Sequence, residues 1–403
     1  MRKLWNKDFI LMLQGNAVST FGDILYSVAI GYWVYEVTGS SALMGIMSSI
    51  SMFVVMFISP FSGTIIDKCN RKIVIVGMDT LRGIIMLIVG ILAYMNQLNV
   101  TIVLIAAFLA SLCSVFFNPA VSTLMIDIIP HDDMVRGQSI TSSGYSLINL
   151  IGKALSGALV AFLGVPFIIM LNGISCLFSA FTELFIAVPQ SKKQGEKVTV
   201  QGILNDFKNA VHEIFKNRFL RLFIPSALLL NLLGAGPMSL LMPFVLEKGF
   251  TVEMYGFLMA LETAASLIGA SLLGIVKFKP KTRYYGLCVG FIGSVIAYIF
   301  AYMSTDFSIL CILSFIACFG NTIGNAVFNA SLMLALPEES RGSILGFISS
   351  ASTGGCALSV VIFGLLCDIY PIHLVFIAGN ILSLVPMIYV CLHTDTKEFV
   401  LSN

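Results

Sequence analysis

Charged residues are scarce in this chain. Only 23 Lys and Arg and 21 Asp and Glu occur among 403 residues, so 11% of the sequence is charged, whereas soluble domains carry about 25%. A water-soluble protein of this length would form two or three domains, each with a polar surface. So few charges exclude a cytosolic globular protein, a disordered protein and a nucleic-acid binder. They predict that lipid surrounds most of the chain.

Motifs for metal binding, ATP hydrolysis and catalysis are also lacking. The four His are scattered and the nine Cys include no C-x-x-C pair, so we expect neither a metal site nor a cofactor. No G-x-x-x-x-G-K-S/T loop occurs, which excludes direct use of ATP. The lack of H-E-x-x-H and G-x-S-x-G motifs makes an enzyme a weak alternative.

Long apolar stretches, by contrast, fill most of the sequence. About twenty apolar residues cross a bilayer as a helix. The stretches that qualify are residues 9–36, 41–66, 73–96, 99–125, 138–163, 166–188, 219–246, 252–276, 284–303, 307–336, 343–366 and 372–392. We therefore predict an all-α polytopic membrane protein with twelve transmembrane helices in two pseudo-symmetric six-helix bundles, 1–188 and 219–403, joined by 189–218.

Positive charges fall almost entirely on one side of these spans. Twenty of the 23 Lys and Arg residues lie in the N-terminus, alternate short loops, the central connection or the C-terminus. The positive-inside rule assigns those segments to the cytoplasm. We expect a multi-pass protein of the cell membrane with both termini inside.

The central connection has a pattern of its own. Apolar residues from Val200 to Phe215 recur at helical spacing, with polar residues on the other faces. This pattern is typical of an amphipathic helix on the inner membrane surface. The helix could be a plain tether between the halves or a regulatory, partner-binding segment.

The two six-span halves repeat one another. Gly45 and Gly63 are 18 residues apart in span 2, as are Gly256 and Gly274 in span 8. The loops after spans 4 and 10 each contain a proline followed by an Arg-Gly pair. The matches indicate an internal duplication, and transporters built this way carry their substrate near the bilayer midplane.

A charged motif follows span 2. Residues 62–72 read SGTIIDKCNRK, a G-x-x-x-D-K-x-x-R-K pattern formed by Gly63, Asp67, Arg71 and Lys72. The motif resembles the loop 2–3 signature of the major facilitator superfamily. Segments in spans 3, 4 and 12 resemble its drug-efflux branch, which includes macrolide-efflux and siderophore-exporter proteins. The resemblance implies secondary active transport, outward and driven by protons, of a small amphiphilic compound.

The motif also has a physical interpretation. Gly63 would let two helices approach closely, and Asp67 at a helix end would attract a helix N-terminus or Arg71. Contacts that form in one state and break in another would make Gly63, Asp67, Arg71 and Lys72 a conformational latch. Alternatively, the basic residues only follow the positive-inside rule and Asp67 is an end cap.

Three ionisable residues lie deep within spans, where they are costly and indicate function. Asp23 lies about 21 Å into span 1, Lys153 about 22 Å into span 5, and Glu262 near the middle of span 8, at a rise of about 1.5 Å per residue. Asp23 and Glu262 are candidates for proton coupling or substrate binding. Lys153, which replaces the proline of a kink common in efflux members of the family, either neutralises one of them or lies beside the pathway.

Other polar residues inside spans need partners. Asp79 and Arg82 are three residues apart on span 3, which favours an intrahelical pair over substrate contact. Asp127 and Glu183 are close enough to helix ends to reach the interface, so we expect no special role for them. Amides facing lipid would be unsatisfied, so the remaining polar residues should line a cavity or join helices: Asn16, Asn321, Asn325 and Asn329.

The sequence therefore predicts a monomeric, proton-coupled exporter whose partners are a small molecule, protons and the lipid bilayer. An importer or a carrier of lipid-like substrates of the same fold is the alternative within transport. A receptor or scaffold that transports nothing is the alternative from another class.

Overall fold

The described part of the chain is built from α-helices. The computed structural model describes residues 4–187, 208, 211–212, 214–216, 218–275, 280–335, 341–393 and 397. The first six long helices are α1 (Lys7–Thr38), α2 (Ser41–Lys68), α3 (Arg71–Tyr94), α4 (Val100–Ile128), α5 (Met134–Leu163) and α6 (Val165–Glu183), with a 3₁₀ turn at His131–Asp133. The others are α7 (Arg218–Ser239), α8 (Leu241–Glu247), α9 (Val252–Ile275), α10 (Pro280–Met303), α11 (Phe307–Ala335), α12 (Arg341–Ile369) and α13 (Ile372–Leu392).

The helices have the length and composition of membrane spans. Within the described ranges, eleven helices are long and apolar enough to cross a membrane, and α7 and α8 together make a twelfth, bent span. Large apolar side chains such as Phe162 remain exposed, as expected of a surface that lipid covers. The twelve-span, all-α prediction is confirmed.

The seventh span is broken into two helices, whereas the sequence predicted one uninterrupted stretch, 219–246. α7 and α8 meet at an angle of 45°. Pro243 has no N–H to donate to the carbonyl of Ser239 four residues earlier, and its ring crowds that carbonyl. The helix therefore ends at Ser239 and begins again at Leu241.

The chain divides into two compact units. The first unit is Met1–Gly39, Ile50–Val198 and Val252–Phe257, and the second is Ser40–Ser49, Thr199–Thr251 and Leu258–Asn403. In the first, α6 packs against both α3 and α1, while α4 packs against α3 and α5 against α1. Apolar side chains, among them Phe9, Met12 and Ile75, form a buried core in this unit.

In the second unit, α7 packs against α12 and α13, and α10 packs against α11 and α13. The beginning of α2 also belongs to this unit. There the Asp368 carboxylate accepts hydrogen bonds from the backbone N–H groups of Ser41, at 2.6 Å, and Ala42, at 3.2 Å. A carboxylate at a helix N-terminus satisfies free N–H donors and complements the helix dipole.

Most of the amphipathic helix predicted in 189–218 lies outside the described residues.

Candidate functional site

Two helices of the first unit, α1 and α3, each approach α6 closely. A Cβ atom added at Gly22 on α1 would lie 2.2 Å from the Oγ atom of Ser175 on α6. Gly83 on α3 and Gly173 on α6 face each other, since a Cβ on either would lie within 3.0 Å of the other's carbonyl oxygen. Small residues let helix backbones approach in this way. The approach gathers the neighbouring polar side chains into one cluster.

Asp23 and Arg82 form the ion pair of that cluster. The Nη2 atom of Arg82 lies 2.7 Å from Oδ1 and 2.6 Å from Oδ2 of Asp23. The Nε atom of Arg82 also donates to the Sγ atom of Cys176 on α6, at 3.4 Å. The Arg82 side chain is 8% exposed and that of Asp23 is 44% exposed. The pair thus joins a buried cation to a partly exposed acid.

The prediction of an intrahelical Asp79–Arg82 pair is wrong for this structure. The guanidinium of Arg82 binds Asp23 on α1 instead, because α1 packs against the same polar cluster. Asp79 is 1% exposed, on the same face of α3 and within electrostatic range of Arg82. Neither of its carboxyl oxygens meets the geometry of a hydrogen bond within the described structure, although the Ser179 hydroxyl is near enough to interact.

Glu183 belongs to this cluster, and the prediction that it reaches the interface is wrong. Its side chain is 1% exposed, because α6 buries this face against α1 and α3. Its Oε1 atom accepts a hydrogen bond from the Ser179 hydroxyl at 3.3 Å, while its Oε2 atom is buried without such a partner among the described residues. Ser179 therefore lies between Asp79 and Glu183.

A signal for this face of α6 was present in the sequence. Polar or small side chains recur there at intervals of four, three and four residues, at Asn172, Cys176, Ser179 and Glu183. That spacing follows one face of a helix. The described residues hold no group of three or more His, Cys, Asp and Glu with the geometry of a metal site, so the three acids of the cluster do not form one.

Two further predicted residues lie in the first unit. Lys153, on α5, is partly buried, and the Ser156 hydroxyl donates to its backbone carbonyl at 2.8 Å. Asn16 is partly buried on α1, two turns before Asp23. Asp23 pairs with Arg82 in the structure, and not with the Lys153 ammonium, which was one of the predicted partners.

Glu262 lies on α9 in the second unit. It is 7% exposed, and its backbone carbonyl accepts a hydrogen bond from the Cys318 thiol at 3.2 Å. Its carboxyl group is close enough to Tyr298 and Tyr302 on α10 to interact with them electrostatically. The acid is thus buried beside two tyrosines.

Those tyrosines help to line a cavity of about 350 Å³ within the second unit. Its walls come from α7, α10, α11, α12 and α13, and within the described ranges no Asp, Glu, Lys or Arg contributes to them. The polar side chains that line it include Asn231, Asn321, Asn325, Asn380, Tyr298 and Tyr302. Two predicted residues, Asn321 and Asn325, are among these, whereas Asn329 is exposed on α11 and is not.

Three of the cavity asparagines are held by their own helices. The Nδ2 atoms of Asn231, Asn325 and Asn380 each donate to the backbone carbonyl four residues earlier, at 2.9–3.0 Å. A carbonyl can only accept a hydrogen bond, so this contact fixes which end of each amide is the NH₂ group. The side-chain carbonyl of each amide then points away from its helix backbone.

The signature loop is seen in part. Arg71 pairs with Asp127 on α4, and both side chains are largely buried, at 11% and 18% exposed. Asp127 thus has a role at the end of α4 that the sequence-based prediction did not give it. Lys72 is partly buried, and its backbone N–H bonds to the Asn70 side chain. The side chain of Asp67 lies outside the described residues.

The described atoms leave space beside Gly63 on α2. A Cβ atom added there would meet no described atom within 4 Å. The close helix approach that the motif predicts at this glycine stays a prediction.

The sequence and the fold were compared with known proteins. The family model described as Major Facilitator Superfamily matches residues 12–359 and 282–402. The macrolide efflux protein A of Streptococcus pyogenes is 22% identical over 194 residues, 48% of this chain and 47% of the relative. The chain therefore matches about half the length of that relative. The multidrug efflux pump Tap of Mycobacterium bovis is 22% identical over 381 residues, 91% of this chain and 89% of the relative.

Solved structures share the fold. A bacterial homologue of the human lysosomal transporter Spinster has a TM-score of 0.73 and 13% identity, covering 99% of this chain and 98% of that one. The nucleoside transporter NupG has a TM-score of 0.71 and 15% identity, covering 94% of this chain and 97% of that one. Both likenesses concern the fold alone.

Proposed function

Because the chain belongs to the Major Facilitator Superfamily, whose members are transporters and not enzymes, we propose that it exports a small amphiphilic compound in exchange for protons. The names of the macrolide and multidrug efflux relatives favour export. Transport proceeds by alternating access, in the cell membrane, with both termini in the cytoplasm, as a monomer and without ATP. The six-helix halves 1–188 and 219–403 are its repeats, and 189–218 links them.

The observation that carries proton coupling is the Asp23–Arg82 pair. Asp23 lies near the middle of α1, bound to a guanidinium that is itself buried. A charged pair in a membrane span is costly and marks ion or proton pathways. Protonation of Asp23 would neutralise it and loosen its hold on Arg82, which ties proton binding to the ion pair that links α1 to α3.

Glu262 and Lys153 complete the coupling groups. Glu262 is a buried acid beside Tyr298 and Tyr302 in the second unit, so it supplies a second position for a proton or for a cationic part of the substrate. Lys153, partly buried on α5, lies beside the pathway and attracts an anionic part of the substrate.

The cavity of the second unit holds part of the transported compound. Its volume of about 350 Å³ is at the lower end of the usual size of small-molecule sites. Asparagine amides supply hydrogen bonds, and Tyr298, Phe291 and Phe328 supply aromatic surface. Such a lining suits an amphiphilic molecule with polar groups on an apolar frame.

The signature loop acts as a latch through Arg71. Its ion pair with Asp127 joins the beginning of α3 to the end of α4. Gly63, Asp67 and Lys72 complete the latch motif in the sequence, and we propose that its contacts change during the transport cycle.

Flux in proteoliposomes tests the proposed function. We expect an imposed pH gradient to drive a macrolide against its own gradient, with Asp23→Asn and Glu262→Gln each abolishing the drive without loss of expression. Asp306→Asn is the matched control, since this exposed acid only caps α11 and asparagine keeps the accepting oxygen.

The alternatives predict other outcomes. Proton-driven flux at the wild-type level in both variants contradicts the coupling assignment. Accumulation in cells, rather than depletion, identifies an importer. No flux of a macrolide, a nucleoside or a lipid-like dye by folded protein favours a receptor or scaffold.

A further inference from the structure

The first unit holds more acids than bases where α1 and α3 pack against α6. Asp23, Asp79 and Glu183 surround Arg82, the one basic side chain of the cluster in the described part of the chain. Asp23 engages the guanidinium through both of its oxygens. That pair is balanced, which leaves the carboxyl groups of Asp79 and Glu183 without a cation of their own.

Among the residues that the structure describes, neither Asp79 nor Glu183 has the hydrogen bonds that would stabilise an ionised carboxylate. Each is 1% exposed. Both oxygens of Asp79 and one oxygen of Glu183 are buried without a hydrogen bond from the described residues, and the other Glu183 oxygen has only the Ser179 hydroxyl at 3.3 Å. An ionised carboxylate in such a place is strongly destabilised, whereas the neutral acid costs far less.

The other titratable groups that face the cluster do not change this balance. They are Tyr26 on α1, Cys113 on α4 and Cys176 on α6. All three are neutral in their protonated forms, so none of them supplies a positive charge to Asp79 or Glu183.

We propose that Asp79 and Glu183, with Ser179 between them, form a proton store beside the Asp23–Arg82 pair. Each holds a proton while Asp23 stays ionised on Arg82. Loss of the proton from Asp79 creates a second anion one helical turn from Arg82, in position to compete with Asp23 for the guanidinium. Proton release thereby weakens the link between α1 and α3. The role in transport rests on the proposed function, whereas the protonation itself does not.

Infrared spectroscopy of the purified full-length chain tests the protonation directly. Protonated carboxyl groups have a carbonyl stretching band that carboxylates lack. We expect the wild-type protein to show this band at neutral pH, and Asp79→Asn and Glu183→Gln each to remove part of it. Ser179→Ala should shift the frequency of the Asp79 and Glu183 components of the band, because the hydrogen bonding of these acids changes. Asp306→Asn, at an exposed helix cap, should leave the band unchanged.

The outcomes separate this inference from the proposed function. A wild-type band unchanged in both Asp79→Asn and Glu183→Gln overturns the store, as does the absence of any such band. Glu262→Gln identifies the part of the band that comes from the second unit. If the band behaves as expected but a pH gradient drives no flux, the proton store stands and proton-coupled transport fails. If Asp79→Asn does not fold, Glu183→Gln alone still tests the proposal.

Discussion

The two units of this membrane protein bury their polar groups in opposite ways. In the first, three acids and one arginine are packed between α1, α3 and α6, where glycines bring the backbones together. In the second, asparagines and tyrosines surround a cavity of about 350 Å³ that no acidic or basic side chain of the described residues lines.

Within the proposed function, the difference indicates a division of roles between the two units. A charged cluster responds to protons because each proton changes its charge balance. A neutral cavity has room for a compound and little to titrate. We therefore assign the proton chemistry chiefly to the first unit and compound binding to the second, with Glu262 as the buried acid beside the cavity's tyrosines.

Removing Arg82 should have the largest effect. Arg82→Gln leaves Asp23 without its partner, and because the Asp23 side chain is 44% exposed the cost is below the ~3–5 kcal/mol of a fully buried pair. We expect proton-driven flux to be abolished and the melting temperature of the purified protein to fall. Arg221→Gln, at an exposed position of α7, is the control. Unchanged flux in Arg82→Gln would contradict the assignment of proton chemistry to the first unit.

A methyl group at Gly22 should disturb the same cluster through packing alone. Its carbon would lie 2.2 Å from the Oγ atom of Ser175 and 3.1 Å from its Cβ atom, so the Ser175 side chain must move or α1 and α6 must separate. Overpacking of this kind costs about 1–3 kcal/mol. We expect Gly22→Ala to lower the melting temperature and the proton-driven rate, and a thermal-shift assay that finds no loss would exclude the close contact.

A substitution in the cavity should affect binding and leave coupling intact. Asn325→Leu removes an amide of the cavity wall, and one lost hydrogen bond is worth about 1 kcal/mol, or about fivefold in affinity. We expect KM for a transported macrolide to rise by about that factor while the number of protons per substrate is unchanged. A changed number of protons per substrate would contradict the assignment of coupling and binding to different units.

Gly63→Ala should have the smallest effect. The added methyl group would meet no described atom within 4 Å, and substitutions without new contacts stay within about 0.5 kcal/mol. A melting temperature equal to that of the wild type is expected. A large drop in melting temperature would support the close helix approach that the sequence motif predicted.

The helices could be predicted from the sequence because span length and charge bias are local properties. The break in the seventh span also had a local signal in Pro237 and Pro243, which the count of apolar residues passed over. Boundaries differ by a few residues, as for α1 at Lys7–Thr38 against the predicted 9–36, because helices continue beyond the apolar core of the bilayer.

The candidate site was less predictable because it depends on which helices meet. Spacing showed that Asp79 and Arg82 share a face of α3, but only packing shows that α1 presents Asp23 to the same guanidinium. Glu183 was misjudged from its distance to a helix end, although that end is buried. Asn231 and Asn380 were missed because a single amide within a span has no periodic signal.

Proton movement driven by a substrate gradient is the most direct test of the division between the units. A pH-sensitive dye inside proteoliposomes reports protons while a labelled macrolide reports substrate. Asp23→Asn should exchange the macrolide down its gradient without moving protons, whereas Asn325→Leu should move protons with the wild-type ratio once the macrolide is saturating. Wild-type proton movement in Asp23→Asn, or its loss in Asn325→Leu, would contradict the account.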